Sequence, residues 1–100
     1  MLKHIVLFKL KEHAEGAGKA ENARRVKETL ESLAKKIPQV RHLEVGINII
    51  PSDAAYDVAL ITEFADEKDL SLYIHHPEHV NVAEFVGKVR EGRAVVDYIV

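Results

Sequence analysis

Three histidines fall within five positions, His75, His76 and His79, in the segment Tyr73-Ile74-His75-His76-Pro77-Glu78-His79-Val80. Histidine is the side chain that titrates nearest neutrality, so this segment is where proton transfer or metal ligation is to be sought. The string His75-x-x-Glu78-His79 has the spacing of one group of zinc peptidases. That chemistry needs both histidines one turn apart on an unbroken helix, together with a third ligand. Pro77 lies between them, removes a backbone donor and clashes with the preceding turn. No metal site is expected, and no other cofactor.

A second reading makes use of the proline. With His76 near a cap and Pro77 at the first helical position, His79 falls in the first turn of the helix. The positive end of the helix dipole there favours a neutral imidazole, suited to accept a proton near pH 7. Tyr73 lies one turn before the break and faces the same space. On the first strand His4 shares a side with Val6 and Phe8 and points beneath the helices. His79, Tyr73 and His4 are therefore the candidate catalytic residues, converging where sheet meets helices.

The elements that must position them follow from periodicity. Leu2–Leu10 alternates as a strand. Glu12–Gly18, with two glycines, reads as a loop and the most mobile part of the chain. From Lys19 to Ile37 the period becomes helical, with Ala23, Val26, Leu30, Leu33, Ala34 and Ile37 in one stripe and Pro38 as the stop. Val40–Ile50 is a second strand, with Ile47 and Ile49 on the side of Leu43 and Val45. Pro51-Ser52-Asp53 turns the chain into a third strand, Tyr56–Phe64, and the link is too short for anything but a hairpin. Asp66 caps a short helix to about His75. A helix from Pro77 to about Lys88 and a strand from Arg93 to Val100 complete the chain. Gly46, inside a regular strand, suggests a bulge or a close backbone approach.

Strand, helix, strand, strand, helix, strand is the split βαβ, ferredoxin-like order, an α+β domain with helices on one face of a four-stranded antiparallel sheet. The helices cover one face only. Yet both alternations are apolar in three strands: Val6 and Phe8 against Ile5 and Leu7 in the first, Ala59 and Ile61 against Val58, Leu60 and Phe64 in the third, Val95 and Ile99 against Ala94, Val96, Tyr98 and Val100 in the last. A watered antiparallel face alternates more cleanly than this. The excess predicts a homodimer in which two sheets pack face to face.

The 100 residues are 47% apolar and 30% charged, enough for one domain with one two-layer core. Fourteen Lys/Arg against sixteen Asp/Glu give −2, which argues against a nucleic-acid partner. No apolar run reaches the roughly 20 residues of a membrane span, and the strand pattern starting at Leu2 leaves no room for a signal peptide. A soluble cytoplasmic domain is expected. The chain has no cysteine, hence no disulfide and no thiol nucleophile. Arg24-Arg25, Lys35-Lys36, Lys88, Arg90 and Arg93 read as solubilising charges.

Lys3-His4-Ile5-Val6-Leu7-Phe8-Lys9, the strand entry from Pro38 to Gly46, Tyr73-Ile74-x-His76-Pro77-x-His79-Val80 and the closing Val96-Asp97-Tyr98 together resemble the stress-responsive dimeric α+β barrel (Dabb) family over essentially the whole chain. The resemblance implies a ferredoxin-like protomer, a homodimer built by sheet packing and no cofactor. Many members have no assigned reaction. One plant member is a polyketide cyclase that closes a linear β-polyketone by aldol condensation. Its catalytic Tyr and His match Tyr73 and His79, and its first-strand histidine matches His4. Its third-strand pocket histidine is replaced by Asp57, and its helix aromatics by Val26 and Leu30. The resemblance thus implies a small-organic-ligand cavity lined by Asp57, Val6, Phe8, Val26 and Leu30, of different shape and for a different substrate. Asp57 is otherwise a hydrogen-bonded strand residue, or a partner for His4 or Arg93. Two other classes stand beside a cyclase-like protein: a stable homo-oligomeric scaffold, and a cofactor-free oxygenase of the kind found among related barrels.

Overall fold

A computed structural model describes residues 1–100. The element order is β1 (Leu2–Leu10), β2 (His13–Ala14), β3 (Ala17–Gly18), α1 (Lys19–Lys36), β4 (His42–Ile47), β5 (Val58–Phe64), α2 (Glu67–His75), α3 (Pro77–Val89) and β6 (Arg90–Ile99). The four long strands form one antiparallel sheet in the order β4-β5-β1-β6. This is the expected ferredoxin-like arrangement, with β1 at the centre.

The alternation of β1 is reproduced residue by residue. Leu2, His4, Val6, Phe8 and Leu10 are buried under the helices, while Lys3, Ile5, Leu7 and Lys9 lie half-buried on the other side. In α1 the residues Ala23, Val26, Leu30 and Leu33 pack on the sheet, with Ile37 just beyond, whereas Ala34 of the expected stripe is exposed. Glu21 in the first turn and Lys35 and Lys36 in the last match the helix dipole. Val26, Leu33, Ile37, Phe64, Tyr73 and Val89 have no exposed surface and form the centre of the core.

Several expectations are corrected. Residues 12–18 are not a loose loop but a two-stranded hairpin, β2 paired with β3. Glu15 and Gly16 both take positive φ, 48° and 76°, as a two-residue hairpin turn requires. The buried Asn22 of α1 fixes it by donating from Nδ2 to the carbonyls of Ala14 and Ala17. The second strand ends at Ile47, and Ile49 stands outside it, 87% exposed. The third begins at Val58 and the last already at Arg90. Gly46 marks neither a bulge nor a close approach: it pairs regularly with Ala59, and a Cβ there would meet nothing.

The irregularity lies elsewhere. Lys9 pairs with Gly92 but Leu10 pairs with Arg90, so Glu91 is an extra residue in β6. This β-bulge resets the alternation of the strand.

The face away from the helices carries Ile5 and Leu7 of β1, Ala59 and Ile61 of β5, and Ala94, Val96 and Tyr98 of β6, as the cross-strand register dictates. Lys3, Lys9, Glu44 and Glu63 flank it. No helix is long and apolar enough to cross a membrane.

Candidate functional site

The helix break that places the site is built from local capping. Asp66 accepts from the Asp69 amide and starts α2. His76 then ends α2 and begins α3: its amide donates to the Tyr73 carbonyl, and its Nδ1 accepts from the Glu78 amide. Pro77 occupies the first turn of α3, as the sequence predicts. The reversal of direction at His76 brings Tyr73 and His79, six residues apart, to a ring separation of 4.6 Å. Phe64 supports Tyr73 from another side at 4.9 Å, and His4 approaches it edge-on at 6.5 Å. The three candidate catalytic side chains therefore share one space.

Two polar atoms in this cluster are buried without a partner, the Tyr73 hydroxyl and His79 Nδ1. Burial pushes the Tyr73 hydroxyl up to about 12, against the opposing pull of the Arg93 cation. Burial likewise lowers the pKa of His79; the Ile74 backbone opposes this, while positive charge at His4, Arg93 and His75 adds to it. His79 is thus neutral at pH 7, the state in which an imidazole accepts a proton.

His4 is buried and bonds through Nδ1 to the carboxylate of Asp97 at 2.5 Å. A carboxylate accepts, so Nδ1 carries the hydrogen of this bond. Their pairing across β1 and β6 places the two side chains on the same face.

His4, Val6, Phe8, Leu30 and His79 line a cavity of about 190 Å³ between sheet and α3, together with residues of α3 and the start of β6. Tyr73 stands directly behind His79. A broader groove of about 350 Å³ between α2 and β6 has Asp97 on its wall but neither Tyr73 nor His79. No three His, Asp or Glu side chains are grouped to hold a metal ion.

The remaining sequence candidates separate. Val6, Phe8 and Leu30 line the cavity. Val26 is fully enclosed in the core and lines nothing. Asp57 lies away from this cavity, at the far end of β1, where its Oδ2 accepts from the Leu10 amide at 2.7 Å and meets Lys19 at 3.5 Å. Its backbone continues the β1–β5 pairing by donating to the Phe8 carbonyl. It partners neither His4 nor Arg93, and its role here is to close the sheet end.

Three site residues escaped the sequence reading. Asp97 was visible only as part of the terminal Val96-Asp97-Tyr98; the signal for its role is that it stands opposite His4 once β1 and β6 pair. Arg90 and Arg93, read as solubilising charges, both line the cavity.

Replacing Tyr73 by Phe removes a buried hydroxyl that has no partner. We expect the variant to be as stable as the parent or more stable by about 1 kcal/mol. Urea denaturation checks this; a loss of 1 kcal/mol or more means the hydroxyl is bonded in the folded protein.

Residues 2–100 match the family described as the stress responsive A/B barrel domain. A stress-response A/B barrel domain-containing protein of Arabidopsis thaliana is 31% identical over 99% of this chain, which spans about half (47%) of that relative's length. An uncharacterised protein of Streptomyces coelicolor is 34% identical over 79% of each chain. Among solved structures, a dimeric ferredoxin-like protein of unknown function from Bacteroides fragilis superimposes with a TM-score of 0.84 at 37% identity, covering 99% of this chain and 95% of its own. With its strand order, its two-faced sheet and its Tyr73–His79 helix break, the chain belongs to the stress-responsive A/B barrel domain family.

Proposed function

We propose that the protein is a homodimer whose protomers each bind a small organic ligand between sheet and helices and transfer a proton to or from one of its carbon atoms. The observation that carries this reading is the placement of His79 beside His4 in the wall of the cavity, with the unpartnered Tyr73 hydroxyl buried directly behind it.

His79, neutral at pH 7, is the base. Tyr73, held protonated by its raised pKa, packs its ring on His79 and positions the imidazole. His4, oriented by Asp97, lines the same cavity and relays the proton through Nε2. No cofactor is needed for this class of reaction.

The test uses ethyl acetoacetate in heavy water, with deuterium incorporation at the carbon between the carbonyls followed by proton NMR. Saturable acceleration by the protein supports the reading. An unaccelerated rate, with no cavity resonance shifted by the ester, turns the protein into a scaffold whose histidines are structural.

The dimeric Bacteroides fragilis relative supports a homodimer, and the apolar open face is the surface proposed for its contact. Ile61 lies near its centre, opposite Ile5 on one side and Glu44 on the other. Ile61→Glu sets a second carboxylate beside Glu44 and a charge in the proposed contact. The variant is expected to elute as a folded monomer in size-exclusion chromatography with light scattering; a dimer at the parent's dissociation constant would place the interface elsewhere.

A further inference from the structure

The cavity has a charge that the proton-transfer reading does not use. Its titratable lining residues are His4, His79, Arg90 and Arg93, and no carboxylate is among them. Neither arginine forms an ion pair, although six Lys or Arg pairs with carboxylates occur elsewhere in the protein. Asp97, the nearest carboxylate on the same strand face, is taken by His4. The rest of the wall is apolar, chiefly Val6, Phe8, Leu60 and Val82.

Bringing both arginines to one side is not what a regular strand does. Residues three apart point to opposite faces. The extra residue Glu91 cancels that difference: Arg93 stands opposite Phe8 and Arg90 opposite Leu10, both on the helix-covered face. The bulge therefore brings both arginines, each carrying a planar fork of donors, to the wall of one small space.

Resting on the reading of this cavity as a ligand site, we infer that it selects small organic carboxylates, the acid group held by Arg90 and Arg93 and the apolar body lying on Phe8, Leu60 and Val82. Guanidinium–carboxylate contacts are charge-assisted and geometrically selective, and an arginine is the residue suited to them. The 190 Å³ volume is below the roughly 300 Å³ at which drug-sized sites begin. The ligand is accordingly a single ring or a short chain. With its acid end at β6, the body of the ligand reaches inward toward His79, so the carboxylate also sets which carbon the base meets.

The experiment compares phenylacetate with phenylacetamide, which has nearly the same shape and no charge, by NMR titration of the isotopically labelled protein. Phenylacetate is expected to bind about tenfold or more tightly. Arg90→Met combined with Arg93→Met is expected to abolish that preference, so that the variant binds phenylacetate no more tightly than phenylacetamide. Equal affinities in the parent protein, or a preference that survives the double substitution, overturns the inference. Binding of phenylacetamide alone leaves the cavity a ligand site and removes only its charge selectivity; shifts from neither compound remove both. Should the double variant fail to fold, salt decides with the parent protein. Added sodium chloride weakens phenylacetate and spares phenylacetamide if the arginines are responsible, and an unchanged phenylacetate affinity overturns the inference.

Discussion

His79→Ala is expected to lower protein-catalysed deuterium exchange into ethyl acetoacetate by about 10²–10⁴-fold, the usual contribution of a positioned general base. The side chain sits in the first turn of α3 against Tyr73, at the wall of a cavity, and its ring is held neutral by burial. The sign of the pH dependence follows from that direction. A pKa below the ordinary value of 6.5 keeps the base form dominant at neutrality. The rate should rise with pH through a midpoint below 6.5 and then stay level. A midpoint above 6.5 would mean that the imidazole is stabilised as a cation and is not the base. The same variant should remain dimeric, because His79 lies on the helix side of the sheet and the proposed contact lies on the other. Dissociation on His79→Ala would assign the residue to assembly instead of chemistry.

Phe64→Ala is expected to cost about 3–5 kcal/mol, the range for deleting an enclosed aromatic ring. Phe64 has no exposed surface, ends β5 opposite Leu2 and packs its ring on Tyr73 at 4.9 Å. A domain of this size is stable by about 5–15 kcal/mol in all, so about a fifth of the total or more is at stake. Thermal unfolding should fall by roughly 15–30 °C. The loss is also local, since Tyr73 is then unsupported on the side away from His79. Urea denaturation gives the energy, and the ring resonances of Tyr73 report the slackening. A cost under 1 kcal/mol would show that Tyr73 and its neighbours collapse into the space.

Most of this architecture was legible because the signals were local and periodic. The alternation of β1 named both of its faces. Pro77, with a capping residue before it, located the helix break and hence the meeting of Tyr73 with His79. What could not be read were features that exist only once distant strands pair. Asp97 is opposite His4 through a register between residues 93 positions apart. Asp57 could be placed at the sheet end only by knowing that Leu10 lies beside it. Arg90 and Arg93 were misjudged for a sharper reason: Arg90 reads as a link before a strand starting at Arg93, whereas the strand starts at Arg90 and bulges at Glu91, which nothing in the neighbouring residues announces. The hairpin at 13–18 was hidden by brevity, each strand being two residues long.

The nine residues of β1 carry two messages in alternating letters. Even positions from Leu2 to Leu10 build the core and the cavity, and odd positions from Lys3 to Lys9 build the open face. Substitutions can therefore change either property alone, and each can vary along this strand without disturbing the other. An inserted or deleted residue has no such freedom. One added letter before His4 turns the histidine outward and carries its neighbours with it, exchanging the two texts along the rest of the strand. β1 should accordingly tolerate changes of spelling on either face while keeping its length fixed.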